Sequence, residues 1–591
     1  IFFRCLGLRC LQIISSPFAA AGLMINPRRV VCACMRPCAR ALTTSAGTPC
    51  IGIDLGTTNS CIAYLKDTSP QVISFTDNAS IPSVVSFLNT GQRLFGETAK
   101  KGSTVASAFT LKSTKRLIGR RYDDPETPKE VFMYTNRLLK TKSGHCAVDV
   151  GGAVYSITEV TAMFLNHLSL MCEVHFGEPV DMAVVSVPAH FNADQRQATY
   201  DAANIAGFPA FDIIEEPVAA ALAYGLHHEA ATTSGQTILV FDLGGSTTDI
   251  SILAVDGTHF EVKASVGDCL LGGDDWDRLL FERWCDEFQQ QYHVDPRENG
   301  MASRELQTWA ERSKIALEST DIARVHIPLF MRNPSCGGGR AVNRDRPGSG
   351  PSIFAGEFSI TRAEYHELCS PLHARCEALL QKAMTQACTQ AGDINTVVLV
   401  GAMTADPSIR ELLQAFFPAA EVVKSEAVPP DQAVAMGAAI RAGMLKGVLP
   451  SVTVTQQSSS AWQHPSQRLS ERSGAQGLLS WLFPGAQQQL HYSLPPAELD
   501  RLRTRIVQYN QQEDERVERE EVLREATAVY RRCLDHITEL EDLQQQKPPK
   551  ELLVLRDSLE FWRERVMLEK DHLNSLTLAA HDCAKYLDAN P

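Results

Sequence analysis

Residues 51–60 read IGIDLGTTNS and residues 240–250 read VFDLGGSTTDI, so the same short pattern occurs twice in the chain. Each copy is an apolar run that ends in Asp and is followed by glycine and threonine. Such a run predicts a buried strand entering a tight hairpin, where glycines let backbone N–H groups approach phosphate oxygens and hydroxyl groups add donors. The repeated pattern therefore predicts two phosphate-binding loops.

The aspartates of the two patterns, Asp54 and Asp242, follow the apolar runs directly, at positions where a carboxylate can hold a hydrated divalent cation. One copy alone would equally fit an ordinary hairpin, but two copies in matched context favour phosphate binding. A P-loop is excluded, because that motif requires Gly-Lys and the sequence contains no Gly-Lys dipeptide.

The chain resembles the seventy-kilodalton heat-shock (DnaK-type) chaperones over most of residues 50–449. Besides the two phosphate patterns, the resemblance rests on five motifs in the order of that family: TKRLIGRRYDDP (114–125), VSVPAHFNADQRQAT (185–199), EEPVAAALAYGL (215–226), LGGDDWD (271–277) and PDQAVAMGAAI (430–440). It implies an α/β fold, the two-lobed actin-like ATPase (ribonuclease H-like) nucleotide-binding domain, with ATP or ADP and Mg²⁺ as cofactors.

The resemblance and the sequence pattern together predict a domain order. We expect a transit peptide at 1–49, a nucleotide-binding domain at 50–449 (lobe I at about 50–230 plus 431–449, lobe II at about 231–430), a Ser/Gln-rich linker at 450–494 and a helical, lid-like domain at 495–591.

The resemblance also implies the roles of individual residues. Lys100, in the GETAKK segment, would face the attacking water and the γ-phosphate, and Glu216 and Asp249 would order magnesium and its waters. The implied catalytic residues are Lys100, Glu216, Asp242, Thr247 and Asp249. Mg²⁺ would be held through water by Asp54 and Asp242. The implied nucleotide contacts are Asp54, Gly56, Thr57, Thr58, Gly244, Gly245, Gly272, Gly273, Glu311, Lys314, Gly401 and Asp431.

The adenosine side departs from the family pattern. The family's adenine loop reads Gly-Gly-[Ser/Met]-Thr-Arg, whereas residues 401–406 read GAMTAD, so Ala405 replaces the arginine that stacks on the base. Ile315 and Glu318 replace an arginine and a serine of the opposing helix. Losing a cation–π platform costs about 0.5 to 2 kcal/mol. A carboxylate close to the nucleoside would add a like-charge penalty. We therefore predict weaker nucleotide binding than in a working chaperone, or an altered base preference.

Composition describes an ordinary globular protein, with 44% apolar and 21% charged residues. The net charge of −13 argues against general nucleic-acid binding. The apolar runs are interrupted before they reach the ~20 residues of a membrane span.

The first 49 residues contain six arginines, no Asp or Glu, and many small and hydroxylated residues. This composition is typical of a mitochondrial transit peptide, and a location in the mitochondrial matrix is expected. A secretory signal is the competing interpretation, but Arg4 and Arg9 interrupt its apolar core.

The region after the nucleotide-binding domain lacks the family's substrate domain. A two-sheet sandwich takes about 100 residues, and the Ser/Gln-rich residues 451–493 are too few to form one. Residues 477–485 (GLLSWLFPG) form an apolar island within this linker. From residue 495 onwards, apolar side chains at intervals of three and four predict helices with a break at residues 547–549.

The predicted partners are proteins or an assembly complex. The family's J-domain co-chaperones dock beside an arginine, and Asp212 stands at that position. A reversed charge suppresses association, so no J-domain partner is expected. Two functions stay open. One is a chaperone-related ATP-binding protein with slow or vestigial ATPase activity. The other is a non-hydrolysing scaffold or assembly subunit of a large mitochondrial complex such as the ribosome.

Overall fold

The computed structural model describes residues 49–75, 79–88, 90–102, 109–125, 127, 137–227, 235–257, 259–332, 353–423, 428–450, 453–456, 494–544, 548–568 and 573–589. The predicted transit peptide, apart from its last residue, and the apolar island at 477–485 lie outside this described part. Within it, no helix is both long enough and apolar enough to span a membrane.

The strands are β1 (Cys50–Asp54), β2 (Asn59–Lys66), β3 (Ser69–Val72), β4 (Ile81–Pro82), β5 (Val85–Phe87), β6 (Arg93–Phe95), β7 (Phe109–Leu111), β8 (Arg137–Lys140), β9 (Cys146–Val150), β10 (Ala153–Ser156), β11 (Met182–Val187), β12 (Ala210–Glu215), β13 (Gln236–Leu243), β14 (Thr248–Asp256), β15 (His259–Asp268), β16 (Ile322–Arg332), β17 (Ile353–Thr361), β18 (Thr396–Val400), β19 (Glu421–Val423) and β20 (Thr453–Gln456).

The α-helices are α1 (Gly96–Gly102), α2 (Ile157–Phe176), α3 (Ala193–Ala206), α4 (Glu216–His227), α5 (Gly273–Tyr292), α6 (Gly300–Leu317), α7 (Arg362–Leu368), α8 (Ser370–Ala387), α9 (Pro407–Phe416), α10 (Ala433–Leu445), α11 (Pro496–Gln544), α12 (Lys550–Leu568) and α13 (Leu573–Ala589).

The two central sheets repeat one topology. In the first, with the order β12-β11-β1-β2-β3, the strands β1, β2 and β3 are antiparallel, and β11 and β12 continue parallel to β1. In the second, β13, β14 and β15 are antiparallel, and β18 and β19 continue parallel to β13. The predicted two-lobed actin-like fold is confirmed.

Helices α4 and α10 pack against each other between the two sheets. Their approach requires glycine, because a Cβ at Gly437 of α10 would lie 1.7 Å from the carbonyl oxygen of Ala219 in α4. Helix α10 meets β1 equally closely, since a Cβ at Gly52 would lie 2.1 Å from the backbone nitrogen of Ala439. This packing fixes the first residue of α4, Glu216, beside the end of β1.

Strand β20 corrects one predicted boundary. It lies inside the segment that was predicted as linker, and it pairs in parallel with the edge strand β15. The free edge of β15 offers backbone N–H and C=O groups that need partners, and the extended TVTQ segment supplies them. The linker therefore does not begin at residue 450.

The long helix α11 belongs to two separate cores. Near its start, Leu502 and Ile506 are buried in the apolar cluster of lobe I. Further along, Ala526 and Cys533 pack with α12 and α13 in a cluster of their own. The predicted helical C-terminal region is confirmed, but docking of its first helix on lobe I was not predicted.

Candidate nucleotide site

The two phosphate loops are in direct contact across the cleft. The hydroxyl groups of Thr58 and Ser246 lie 2.8 Å apart. A Cβ at Gly245 would lie 2.5 Å from Oγ1 of Thr58, so glycine is needed for the loops to meet. The first turn is equally tight, because a Cβ at Gly56 would lie 1.8 Å from the carbonyl oxygen of Asn59.

The remaining loop residues complete this arrangement. The backbone N–H of Gly244 donates to the carbonyl oxygen of Thr247 over 2.9 Å and closes the second hairpin. Thr57 and Thr247, one from each loop, line the same small cavity. The structure thus brings together the threonines that the sequence assigned to phosphate binding.

Four carboxylates converge behind the loops: Asp54 at the end of β1, Glu216 at the start of α4, and Asp242 and Asp249, which face each other in the β13–β14 pair. Burial raises the pKa of Asp242 well above its ordinary value, and the neighbouring carboxylates of Glu216, Asp249 and Asp54 raise it further. Burial also raises the pKa of Glu216, to about 7. These carboxylates therefore need neighbouring cations to stay ionised.

Lys115 supplies one such cation. Its ammonium group donates to the carboxylate of Glu216, and both side chains are buried. Burial alone would lower the pKa of Lys115, but the carboxylates of Glu216 and Asp54 outweigh burial and raise it. Sequence reasoning missed Lys115, although it lies in the TKRLIGRRYDDP motif. The signal was a lysine beside an apolar pair, since Leu117 and Ile118 are fully buried.

The structure places Lys100, which the family resemblance assigned to the γ-phosphate, beside Glu311, and that assignment stays a prediction. The ammonium group of Lys100 lies 3.5 Å from Glu311 of α6, and both side chains are nearly half exposed. Lys100 belongs to the short helix α1 and forms an ion pair there, whereas the cation among the carboxylates is Lys115. Glu311, assigned to the nucleoside, is the partner in this pair.

The carboxylates fit a hydrated magnesium ion. Carboxylate oxygens are the ligands that Mg²⁺ prefers, and it usually keeps several of its waters. In the described part of the chain, no three His, Cys, Asp or Glu side chains are grouped closely enough to hold one ion directly. Asp54 is oriented by the hydroxyl of Ser186, which donates to its Oδ1 over 2.9 Å. Asp431 adds negative charge beside Asp54 and contributes to raising the pKa of Asp54, which burial raises most.

A histidine that sequence reasoning did not select also joins the cluster. Nδ1 of His190 forms a hydrogen bond with Oδ1 of Asp249. Burial lowers the pKa of His190, but the charge and hydrogen bond of Asp249 outweigh burial and raise it. A Cβ at Gly267 would lie 2.7 Å from both bonded atoms, so this glycine leaves room for the pair.

The amino end of α5 closes the second phosphate loop. The hydroxyl of Ser246 donates to Oδ2 of Asp274 over 2.5 Å. The backbone N–H of Gly273 donates to the carbonyl oxygen of Gly244 over 3.1 Å. A Cβ at Gly272 would lie 2.5 Å from the backbone of Ser246. Gly272 and Gly273 therefore hold the second phosphate loop close against the amino end of α5.

The nucleoside side is built around Lys314 and Gly401. Nζ of Lys314 lies 2.9 Å from Oδ1 of Asp277 and 3.2 Å from the carbonyl oxygen of Gly273. Gly401 has a φ of 84°, and a Cβ there would lie 2.3 Å from the carbonyl oxygen of Leu243. Both residues thus adjoin the phosphate loops.

Asp406 has an internal role. Its side chain is buried, and its Oδ1 accepts hydrogen bonds from the backbone N–H and the hydroxyl of Ser408, over 2.9 and 2.7 Å, at the start of α9. His366 lies 3.5 Å away. Glu318 is half-buried, and its pKa is raised by burial and then by Asp406. Glu318 is therefore the carboxylate that would oppose a nucleotide.

This fold, with its paired phosphate loops and its cluster of carboxylates and lysine, defines an actin-like ATPase domain. The sequence model described as Hsp70 protein matches residues 50–456, more than half of the chain. The chain belongs to the Hsp70 family, which supports a chaperone-related, ATP-binding function. Members of the family bind ATP or ADP with Mg²⁺ and typically act on protein substrates.

Proposed function

We propose that this chain is a mitochondrial, chaperone-related protein that binds ATP and ADP with Mg²⁺ and hydrolyses ATP slowly. It would act on protein assembly or folding without the usual cycle of peptide binding. The observation that carries this proposal is the placement of Lys115 among four carboxylates, of which Glu216 and Asp249 are buried, behind two phosphate loops. Buried like charges are costly, and a hydrated Mg²⁺ bound with a nucleotide would compensate them.

Slow hydrolysis requires little more than this set of residues. Phosphoryl transfer depends mainly on positioning and on neutralising charge, and the protein does little covalent chemistry. Asp54, Thr57, Thr58, Glu216, Asp242, Thr247 and Asp249 are all present, together with Lys115.

The second candidate is a non-hydrolysing scaffold or assembly subunit of a mitochondrial complex. It is favoured by the burial of Leu502 and Ile506 in the core of lobe I, which ties α11 to that lobe. The replacements at Ala405 and Glu318 also favour it, because they weaken the nucleoside side.

Two measurements separate these candidates. The first is single-turnover ATP hydrolysis by residues 50–591, compared with the Asp242→Asn variant. The second is co-sedimentation with mitochondrial extract in ATP, in ADP and without nucleotide. Turnover that the variant loses, with binding that changes with nucleotide, supports the ATP-dependent function. Stable co-sedimentation in every condition, without turnover, supports the scaffold.

Location and co-chaperone use are tested separately. A fusion of residues 1–49 to a reporter protein should be imported and cleaved by isolated mitochondria, because this segment has six arginines and no acidic residue. A mitochondrial J-domain protein should not stimulate hydrolysis, because Asp212 reverses the charge of the expected docking residue. In the structure Asp212 lies 3.5 Å from Arg441. Stimulation would contradict this part of the proposal.

A further inference from the structure

A serine hydroxyl joins the two lobes where the phosphate loops meet. Oγ of Ser246, in the second phosphate loop, lies 2.8 Å from Oγ1 of Thr58 in the first loop. The same oxygen lies 2.5 Å from Oδ2 of Asp274 at the start of α5. Ser246 is 0% exposed, so these contacts form where the serine is shielded from solvent. We call this set of two side-chain contacts the serine clasp.

The backbone of Ser246 adds a further contact between the lobes. Nη2 of Arg116 donates to the carbonyl oxygen of Ser246. Arg116 belongs to a short 3-10 turn of lobe I, Thr114–Arg116, so two separate segments of that lobe hold this serine. Removing the hydroxyl alone leaves the backbone contact in place, and the contribution of the side chain can be measured by itself.

Lobe II fixes Ser246 from the other side. The backbone N–H groups of Gly273 and Asp274 donate to the carbonyl oxygens of Gly244 and Gly245, over 3.1 and 2.6 Å. These hydrogen bonds tie the second phosphate loop to the amino end of α5, and the clasp adds the carboxylate of Asp274. Because Ser246 is attached to lobe II in this way, it moves with that lobe, and separation of the lobes breaks its contact with Thr58.

Another side-chain contact that crosses the cleft, between Lys100 and Glu311, is much more exposed to water. Nζ and Oε1 lie 3.5 Å apart, and the two side chains are 46% and 41% exposed. Exposed ion pairs contribute little, because water and salt screen them. A hydrogen bond is stronger where water is excluded, as it is around Ser246. The serine clasp is therefore the firmer of these two connections.

We propose that Ser246 is a positioning residue whose clasp holds the two lobes together and slows the entry and release of nucleotide; this inference rests on the nucleotide-binding function proposed above. Phosphate groups held between the two loops leave only when the loops move apart, and that movement breaks the contact of Ser246 with Thr58. The clasp consists of protein groups alone, so it forms with and without nucleotide. It acts on both rate constants by the same factor and leaves the Kd unchanged.

The test is the Ser246→Ala variant of the full chain, which keeps the backbone contacts and loses the hydroxyl. Stopped-flow fluorescence with N-methylanthraniloyl-ADP and Mg²⁺ measures association and dissociation separately. We expect both rate constants to rise about threefold to tenfold, the factor that corresponds to the loss of one hydrogen bond. The Kd should stay within about twofold, whereas a residue that binds the nucleotide itself would change it.

Ser251→Ala is the matched control. This serine is also buried, at 1% exposure, and its hydroxyl donates to that of Ser265 over 3.0 Å. Both residues lie in the β14–β15 pair, so the lost hydrogen bond lies wholly within lobe II. The two rate constants of this variant should equal those of the unchanged protein.

Hydrogen exchange without nucleotide tests the clasp independently of the proposed function. Peptides that cover residues 51–60 and 240–250 should exchange about threefold to tenfold faster in the Ser246→Ala variant, because the loops separate more often. Thr58→Val breaks the same contact from lobe I and should have the same effect. Ser251→Ala should leave the exchange of the first loop unchanged.

The remaining outcomes also decide the question. Unchanged rate constants or unchanged exchange in Ser246→Ala overturn the inference. So does a Kd that rises in proportion to dissociation while association stays constant, since Ser246 would then contact the nucleotide itself. If the unchanged protein binds no N-methylanthraniloyl-ADP, the proposed function fails, and the exchange of the two loops alone decides whether the clasp holds the lobes.

Discussion

The docking of α11 on lobe I makes a quantitative prediction for Arg505. Its Nη1 lies 2.9 Å from Oε1 of Glu159, whose side chain is only 4% exposed, and its guanidinium also lies 4.6 Å from the ring centroid of Tyr155. Removing one partner of a fully buried ion pair costs about 3 to 5 kcal/mol. Because Arg505 is 36% exposed, water screens the pair, and we expect Arg505→Ala to cost about 2 to 3 kcal/mol.

Hydrogen exchange measured by mass spectrometry is the suitable assay, because it reports the opening of individual segments. Peptides from α2 and from the first four turns of α11 should lose about 30- to 150-fold of their protection, since 1.36 kcal/mol is a factor of ten. Adding Glu159→Gln to the Arg505→Ala variant should restore most of this protection, because no buried charge is then left unpaired.

Arg501→Ala is the control. This arginine is 67% exposed and pairs with Glu498 on its own helix, so we expect its removal to destabilise the docking by less than about 0.5 kcal/mol. Equal exchange in the Arg505→Ala and Arg501→Ala variants would refute the docking.

Three further predictions concern the site and lobe I. Burial raises the pKa of Asp201 to about 6, so the folded state loses stability as pH rises from about 4 to 6. Asp201→Asn should therefore stabilise the protein by up to about 3 kcal/mol at pH 7.5 and by nothing at pH 4. Equal shifts in melting temperature at both pH values would contradict this prediction. Lys115→Ala should lower single-turnover hydrolysis at least about 100-fold by removing charge stabilisation. Lys100→Ala should change it less than twofold, and the reverse order would support the assignment of Lys100 to the γ-phosphate. Gly401→Ala should lower the free energy of unfolding, measured by urea titration, by about 1 to 3 kcal/mol, because the φ of 84° at this position is strained for alanine. Unchanged stability would contradict this prediction and show that the loop changes its backbone conformation.

The sequence predicted the features that short local patterns determine. The phosphate loops need glycine and threonine within ten residues of each other, and the repeated pattern made the duplicated sheets predictable. The helical C-terminal region followed from the regular spacing of its apolar residues. These features depend on neighbouring positions in the chain, so they can be identified without knowledge of the fold.

The features that were missed depend on contacts between distant positions. Lys115 meets Glu216 across 101 positions, and His190 meets Asp249 across 59. The apolar residues Leu117 and Ile118 near Lys115 were a local signal, but it is packing that shows the ammonium group of Lys115 to be buried and that of Lys100 to be nearly half exposed. The same holds for Ile506, whose apolar side chain fits a free helix as well as a docked one.

The central claim is that the cluster around Lys115 and Asp242 binds a nucleotide with magnesium. Calorimetric titration of residues 50–591 with MgATP and MgADP tests it directly, with Asp242→Asn as the site variant and Asp256→Asn, at the far end of β14, as the matched control. We predict saturable binding that the control keeps and Asp242→Asn abolishes. Absence of binding heat in the unchanged protein, or equal binding by both variants, would contradict the claim.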